Sequence, residues 1–268
     1  MAASNHYAIQ VTQASKTFGR GTLALSNVNI TIKPGECVGL LGASGSGKST
    51  LMRSICGLER LDGEQSSVEL FGQVLQKGGV LSRDIRQMRQ NTAIIFQQFN
   101  LIGRMNVLSN VLTGLLPRMP LWRSLTVQFN RQEQMDALKA LAAVGLAEYA
   151  NQRASTLSGG QQQRAAVARA LLQGAKILLA DEPVASLDPE AGRRVMDCLL
   201  ELNRTQNLTL VVSLHNVVMA RKYCERIIAL RGGQVVYDGL PEGLDDAVLT
   251  ELYANASIEQ TNANLKFA

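Results

Sequence analysis

Eight consecutive residues, Gly42, Ala43, Ser44, Gly45, Ser46, Gly47, Lys48 and Ser49, follow the spacing glycine, four residues, glycine, lysine, serine. A polyphosphate needs many hydrogen-bond donors in a small volume. Glycines let the backbone curl until successive N–H groups point inward. The helix predicted to start near Lys48, carrying Ser49 and Thr50 in its first turn, adds the positive end of its dipole. In such a loop the lysine reaches the β- and γ-phosphates and the serine hydroxyl turns to Mg²⁺. The plain alternative is a Gly/Ser loop with no ligand. Context weighs against it, because the apolar run from Cys37 to Leu41 leads in and a helix leads out. Further on, Ile177-Leu-Leu-Ala180 runs into Asp181-Glu182. An apolar run that ends in acid puts the carboxylate at the C-terminal edge of a sheet, where α/β proteins bind ligands. Asp181 suits Mg²⁺ held through water, and Glu182 suits orienting and polarising an attacking water. Alone, the pair would read as solvated acids closing a strand.

A third segment, Leu157-Ser158-Gly159-Gly160-Gln161, sets two glycines ahead of a helix. Exposed N–H groups, the helix's positive end and the Ser158 hydroxyl make a second anion site, or else a flexible hinge. Here the chain resembles the ABC transporter ATPases, whose signature is LSGGQ, and the match continues into Gln162-Gln163-Arg164. The resemblance runs from Ile9 to about Gly239, with its motifs in the family's order. It implies a P-loop NTPase of α/β class: a RecA-like core, an antiparallel β subdomain and an α-helical subdomain. It further implies one ATP-binding domain over 1–250, with the core and β unit in 1–98 and 160–250, the helical unit in about 99–159, and a polar tail in 251–268. Two such domains dock head to tail around two ATP molecules, each signature segment covering the other chain's phosphate loop. Both receptors lie in one chain, so sharing a nucleotide requires two copies.

The same resemblance assigns further residues. Phe18 matches the aromatic that stacks on adenine, where tyrosine is commoner. Gln97 matches the glutamine that contacts Mg²⁺ and water and senses the γ-phosphate. Ala185-Ser186-Leu187-Asp188 matches the loop that crosses the dimer interface, and His215 the switch histidine on the γ-phosphate. Catalysis would then rest on Glu182, His215, Gln97 and Lys48, with Ser49, Gln97 and Asp181 toward the metal. Residues from about Phe99 to Val107 would meet transmembrane permease subunits, and a periplasmic or lipid-anchored binding protein would act through them. No nucleic-acid partner is implied.

These residues need rigid supports. Ile9 and Val11, then Val28, Ile30 and Ile32, alternate with polar residues as half-exposed strands do. Pro34-Gly35 is a turn, Cys37 to Leu41 a buried strand, and a helix is predicted from Lys48 to near Gly57. From about Asn100 to Ser158 the pattern turns helical. Pro117 and Pro120 break it, Asn130 with Glu133 forms an N-cap pair, and Met135, Leu138, Leu141 and Val144 recur before a stop at Gly145. After Gln161 come a helix from Ala165 to Gln173, a strand from Ile177 to Ala180, a helix opened by Pro189 and a strand from Leu208 to Leu214. A hairpin follows about Gly232-Gly233. Such alternation predicts a largely parallel sheet covered by helices. Beyond about Glu251 a polar, loosely held tail is expected.

Composition narrows the classes. The 268 residues are 46% hydrophobic and 18% charged, ordinary for a globular chain that can bury its own core. A net charge of +5 does not by itself imply nucleic acid. Cys37, Cys56, Cys198 and Cys224 form no C-x-x-C pair and sit in apolar stretches, the pattern of buried free thiols in a reducing compartment. The N-terminus lacks the pattern of a secretory signal, and no run reaches the roughly 18 apolar residues that cross a bilayer. Membrane work would go through a partner, from the cytoplasmic face of the inner membrane.

Cargo is addressed by resemblance alone. Ser82 to Arg89, Phe96 to Arg104, Pro120-Leu-Trp122-Arg123-Ser124-Leu125 and Ser213-Leu-His215-Asn216 look like the ATPase of phosphonate importers, a group that includes transporters of phosphite and related oxyanions. A polar amino acid importer or a lipoprotein-release exporter would carry the same core motifs. A non-transport ABC protein would typically add a long coiled-coil insertion or a second cassette. A regulatory module without turnover would not need Glu182.

Overall fold

The computed structural model describes residues 7–19, 21–97 and 100–253. Strands β1 (Ile9–Phe18) and β2 (Thr22–Ile32) alternate buried and solvent-facing residues along much of their length. Strand β3 (Cys37–Leu41) is buried throughout and leads through the glycine loop into helix α1 (Lys48–Ile55). Three short strands follow, β4 (Ser67–Leu70), β5 (Gln73–Lys77) and β6 (Val80–Leu81), then a helical turn α2 (Ile85–Met88) and strand β7 (Thr92–Ile95). A helical stretch holds α3 (Val107–Leu112), α4 (Leu121–Thr126) and α5 (Arg131–Ala143). Helix α6 (Gly159–Gln173), strand β8 (Ile177–Ala180), helix α7 (Pro189–Gln206), strand β9 (Thr209–Leu214) and helix α8 (Val217–Tyr223) alternate next. The hairpin β10 (Arg226–Arg231) and β11 (Gln234–Gly239) and helix α9 (Asp246–Tyr253) complete the described chain.

The strands form two sheets. One is antiparallel, in the order β2-β1-β4-β5-β6; the other runs β11-β10-β3-β9-β8-β7 and is parallel except at β11. Burial on both faces explains the unbroken apolar runs in β3, β8 and β9. Side chains on successive residues take opposite faces. Leu178, Ala180, Leu210 and Val212 therefore pack with α6, α7 and the helical stretch. Ile177, Leu179 and Val211 instead join a second core with β1, β2 and α1.

Register decides where the chemistry goes. Leu41 pairs with Leu214, Val212 with Ala180, and Ala180 with Ile95. The C-terminal ends of β3, β9, β8 and β7 thus lie side by side. The next residues of each strand, the Gly42 loop, His215, Asp181 and Phe96-Gln97, leave the sheet along one edge.

Several sequence-based expectations need adjusting. Helix α6 starts at Gly159, six residues before Ala165, because Ser158 and Gln161 close a capping box that outweighs two glycines in the first turn. Helix α1 ends at Ile55, and Gly57 follows with φ +66°. Met135 is exposed although Leu141 and Val144 are buried. Steps of three residues fall about 60° short of a turn each time, so Met135 and Val144 end on opposite sides of the helix. Cys198 is half-buried, unlike the other three cysteines. Residues 251–253 are not loose tail: they close α9, with Leu252 buried. Residues 254–268, and Phe99 of the expected permease surface, lie outside the described residues.

Candidate active site

The glycine loop is shaped by contacts that exclude side chains. A Cβ on Gly42 would lie 2.3 Å from the Leu230 carbonyl oxygen, and one on Gly47 2.4 Å from that of Ala24. Both have positive φ, as does Gly45, whose Cβ position faces open space. Ser44 and Gly45 are exposed, Ala43 is half-buried, and Ser46 is buried with a hydroxyl that lacks a partner among the described residues. Lys48 is 4% exposed and donates to the carbonyls of Gly42 (2.7 Å) and Ala43 (3.1 Å). Burial lowers its pKa, while the carboxylates of Glu182 and Asp181 oppose that shift. A buried cation satisfied only by its own loop's carbonyls, beside an orphan hydroxyl, fits a polyphosphate.

Across the edge, Asp181 is buried, and its Oδ1 accepts from Ser49 Oγ (3.0 Å) and Ser213 Oγ (2.8 Å). Ser213 Oγ also accepts from the Glu182 N–H at 2.8 Å, so one hydroxyl locks both acids. Glu182 holds φ +51°, uncommon outside glycine and a form of strain that collects at functional sites. Its Oε1 stands 2.5 Å from His215 Nε2. With the carboxylate ionised, that nitrogen carries the proton and donates. Tyr253, on α9, donates its hydroxyl to the His215 carbonyl at 3.3 Å. A cavity of about 510 Å³ lies beyond this pair between α7 and α8, lined by Leu187, Asp188, Met219 and Tyr223 among others. None of residues 42–50 lines it, so it is separate from the glycine loop.

Thus Lys48, Ser49, Asp181, Glu182 and His215 come together, with Thr50 half-buried on α1 beside them in sequence. Gln97 stands exposed beyond β7, outside this hydrogen-bonded cluster. Phe18 ends β1, 39% exposed, with the Lys16 ammonium 5.2 Å from its ring centre. Ser158 and Gln161 belong to α6, where Ser158 Oγ accepts from the Gln161 N–H (3.3 Å) and the Gln161 side chain from the Ser158 N–H (2.8 Å). Ser158 is exposed, and its O–H is not used as a donor in this capping box. Asp188 caps α7, and the N–H groups of Ala191 and Glu190 hold its carboxyl below the ordinary value. Sequence reasoning missed the roles of Ser213 and Tyr253 at this site. Ser213 reads as one more position in a buried strand, and Tyr253 sits next to a polar tail.

Comparisons with known proteins bear on the fold and the family. The family model for ABC transporter matches residues 25–185. A relative from Cupriavidus metallidurans, named "Phosphonates import ATP-binding protein PhnC 1", is 51% identical over 253 residues, 94% of this chain and 89% of its own. One from Pseudomonas aeruginosa with the same name is 52% identical over 246 residues, 91% of this chain and 88% of its own. Among solved structures, the dimeric MJ0796, a bacterial ABC transporter cassette, is similar with a TM-score of 0.75 and 34% identity, over 88% of this chain and 99% of that one. A post-hydrolysis state of that cassette bound to ADP and Pi is similar at a TM-score of 0.70 and 34% identity, with the same coverage.

Proposed function

The chain belongs to the ABC transporter ATP-binding family, and from that premise we propose that it is the ATP-hydrolysing subunit of an importer for phosphonates or related phosphorus oxyanions. The observation that carries the ATPase reading is the cluster of Lys48, Ser49, Asp181, Glu182 and His215 along one sheet edge. The cargo reading rests on relatives of about half identity over most of the chain, whose names give phosphonate import. Among the described residues no helix is long and apolar enough to cross a membrane. The subunit would act through transmembrane permease subunits, at the cytoplasmic face of the inner membrane, with a substrate-binding protein beyond them.

In this reading ATP enters the glycine loop and Lys48 exchanges the Gly42 and Ala43 carbonyls for phosphate oxygens. Ser46 Oγ and the loop N–H groups add donors, and Phe18 offers a stacking face for adenine. Ser49 Oγ and the Asp181 carboxylate, 3.0 Å apart, are oxygen donors of the kind Mg²⁺ prefers. The cation supplies charge neutralisation between the phosphates when bound. Gln97 closes toward the same site from β7. The Glu182 carboxylate would align a water with the γ-phosphorus and take up its proton as the new P–O bond forms and the bond to the β,γ-bridging oxygen breaks, so that ADP leaves with that electron pair and phosphate is released. His215 Nε2–H, which holds Glu182 in this structure, is also the donor suited to the γ-phosphate. Drawn to phosphate, it releases Glu182 to the water. Ser158, Gly159 and Gly160 of a second copy cover the γ-phosphate from the far side, with Gln161 and Asp188 at the seam, and exclude bulk water.

Reconstitution with the permease and its soluble receptor tests the whole reading. Phosphonate- or phosphite-loaded receptor should stimulate ATP hydrolysis, and amino acid should not. Stimulation by amino acid alone would overturn the cargo assignment.

A further inference from the structure

Helix α4 presents apolar side chains that no element covers among the described residues. Arg123 and Ser124 are half-buried: Arg123 pairs with Glu133 of α5 at 2.7 Å, and Ser124 Oγ donates to the Leu116 and Met119 carbonyls. These two contacts fix the inward face. At about 100° per residue, Trp122 and Leu125 then both point outward, about 60° apart. Trp122 is 64% exposed and Leu125 83%. The helix ends at Val127, which adopts φ +52° and is itself 50% exposed. A β-branched residue is a poor choice there, and with half its surface in water it has little packing to justify the position.

Charge indicates what would cover this face. From Asn100 to Arg131 the chain has four arginines, Arg104, Arg118, Arg123 and Arg131, and no aspartate or glutamate. Arg118 gives its guanidinium to the neutral carbonyls of Gly174 and Gln90, so its charge is not cancelled, and Arg131 is exposed. A tryptophan and a leucine flanked by unneutralised arginines is the composition of segments that lie in the headgroup region of anionic membranes. Two side chains of a six-residue helix and its capping Val127 fall far short of the roughly 800 Å² per partner of a stable protein interface. Shallow, salt-sensitive insertion into lipid needs no such area.

We propose that the α4 face, Trp122, Leu125 and Val127, flanked in the chain by the exposed Arg118 and Arg131, is a contact for an anionic lipid surface. The proposal deepens the reading of the chain as a subunit working at a membrane, but its test needs no permease. Trp122 is the chain's one tryptophan, so its emission reports the contact directly. With vesicles containing phosphatidylglycerol, the full chain should co-float and its emission should shift to the blue; added salt should weaken both. Phosphatidylcholine vesicles should do neither. Leu125→Asp should lower partition at least about tenfold, and Arg131→Glu should lower it and flatten its salt dependence. Both variants lie on the surface and should keep the wild-type ATPase rate in solution. Emission unmoved by anionic vesicles, or Leu125→Asp floating like the wild type, would overturn the proposal. So would a wild-type chain that ignores lipid yet binds permease in detergent through Leu125; the face would then belong to a protein partner. Loss of ATP hydrolysis with vesicle binding intact would count against the function proposed above and leave this contact standing.

Discussion

At Ser213 a single hydroxyl donates to Asp181 and accepts from the Glu182 N–H. Ser213→Ala removes a donor from a buried carboxylate and the acceptor from a buried amide. We expect a stability loss of about 1–3 kcal/mol by denaturant titration, with slower turnover; Ser213→Thr, which keeps the hydroxyl, should recover most of it. Lys48→Ala should abolish tight ATP binding in a calorimeter, and unchanged affinity would contradict its place in the cradle. Burial pushes the Cys56 thiol up to about 12 and the Cys198 thiol up to about 11. A raised pKa keeps the unreactive thiol form at all lower pH. Alkylation of the folded chain near pH 8 should therefore be slow at Cys56 and Cys198 and fast only after unfolding; rapid native labelling of Cys56 would refute that packing. The motif residues were legible because their types and spacing follow from phosphate chemistry. Ser213 was not, because its role depends on β9 lying beside β8, which no local pattern states.

Elements differ in legibility for the same reason. Strands β3 and β8 have the predicted bounds, since only a run buried on both faces is apolar at every position. The Asn130–Glu133 capping box is present in both directions, at 2.8 and 2.7 Å. Asn130→Ala should cost about 1 kcal/mol, read as a lower unfolding midpoint. Strand β5 escaped notice: it is short and polar, and Gln76 is wholly buried only because its amide serves the Leu61 N–H and the carbonyls of Ser54 and Glu59. The last residues of helix α9, 251–253, were read as tail for want of a local signal, yet Tyr253 there anchors the His215 loop. Tyr253→Phe should leave ATP affinity intact and reduce turnover severalfold if that anchor holds the switch; an unchanged rate would make the bond merely structural.

On the scale of the whole molecule, the folding problem and the catalytic problem have one solution. Parallel pairing brings four strand ends to a common edge, and Asp181, Glu182, His215 and the glycine loop collect there. Beyond Gly45 the loop is open: among the described residues nothing lies within 4 Å of where its Cβ would be. The capping box at Ser158 opens a different element, α6, whose N-terminal turn offers N–H donors. Two copies related by a twofold axis would each complete the other. The most direct test is sedimentation of the Glu182→Gln chain with and without Mg-ATP, alongside the same chain carrying Ser158→Arg. The account predicts a nucleotide-dependent dimer for the first, and for the second a monomer that still binds ATP. A Glu182→Gln chain that stays monomeric at saturating ATP, or a Ser158→Arg chain that dimerises equally well, would contradict it.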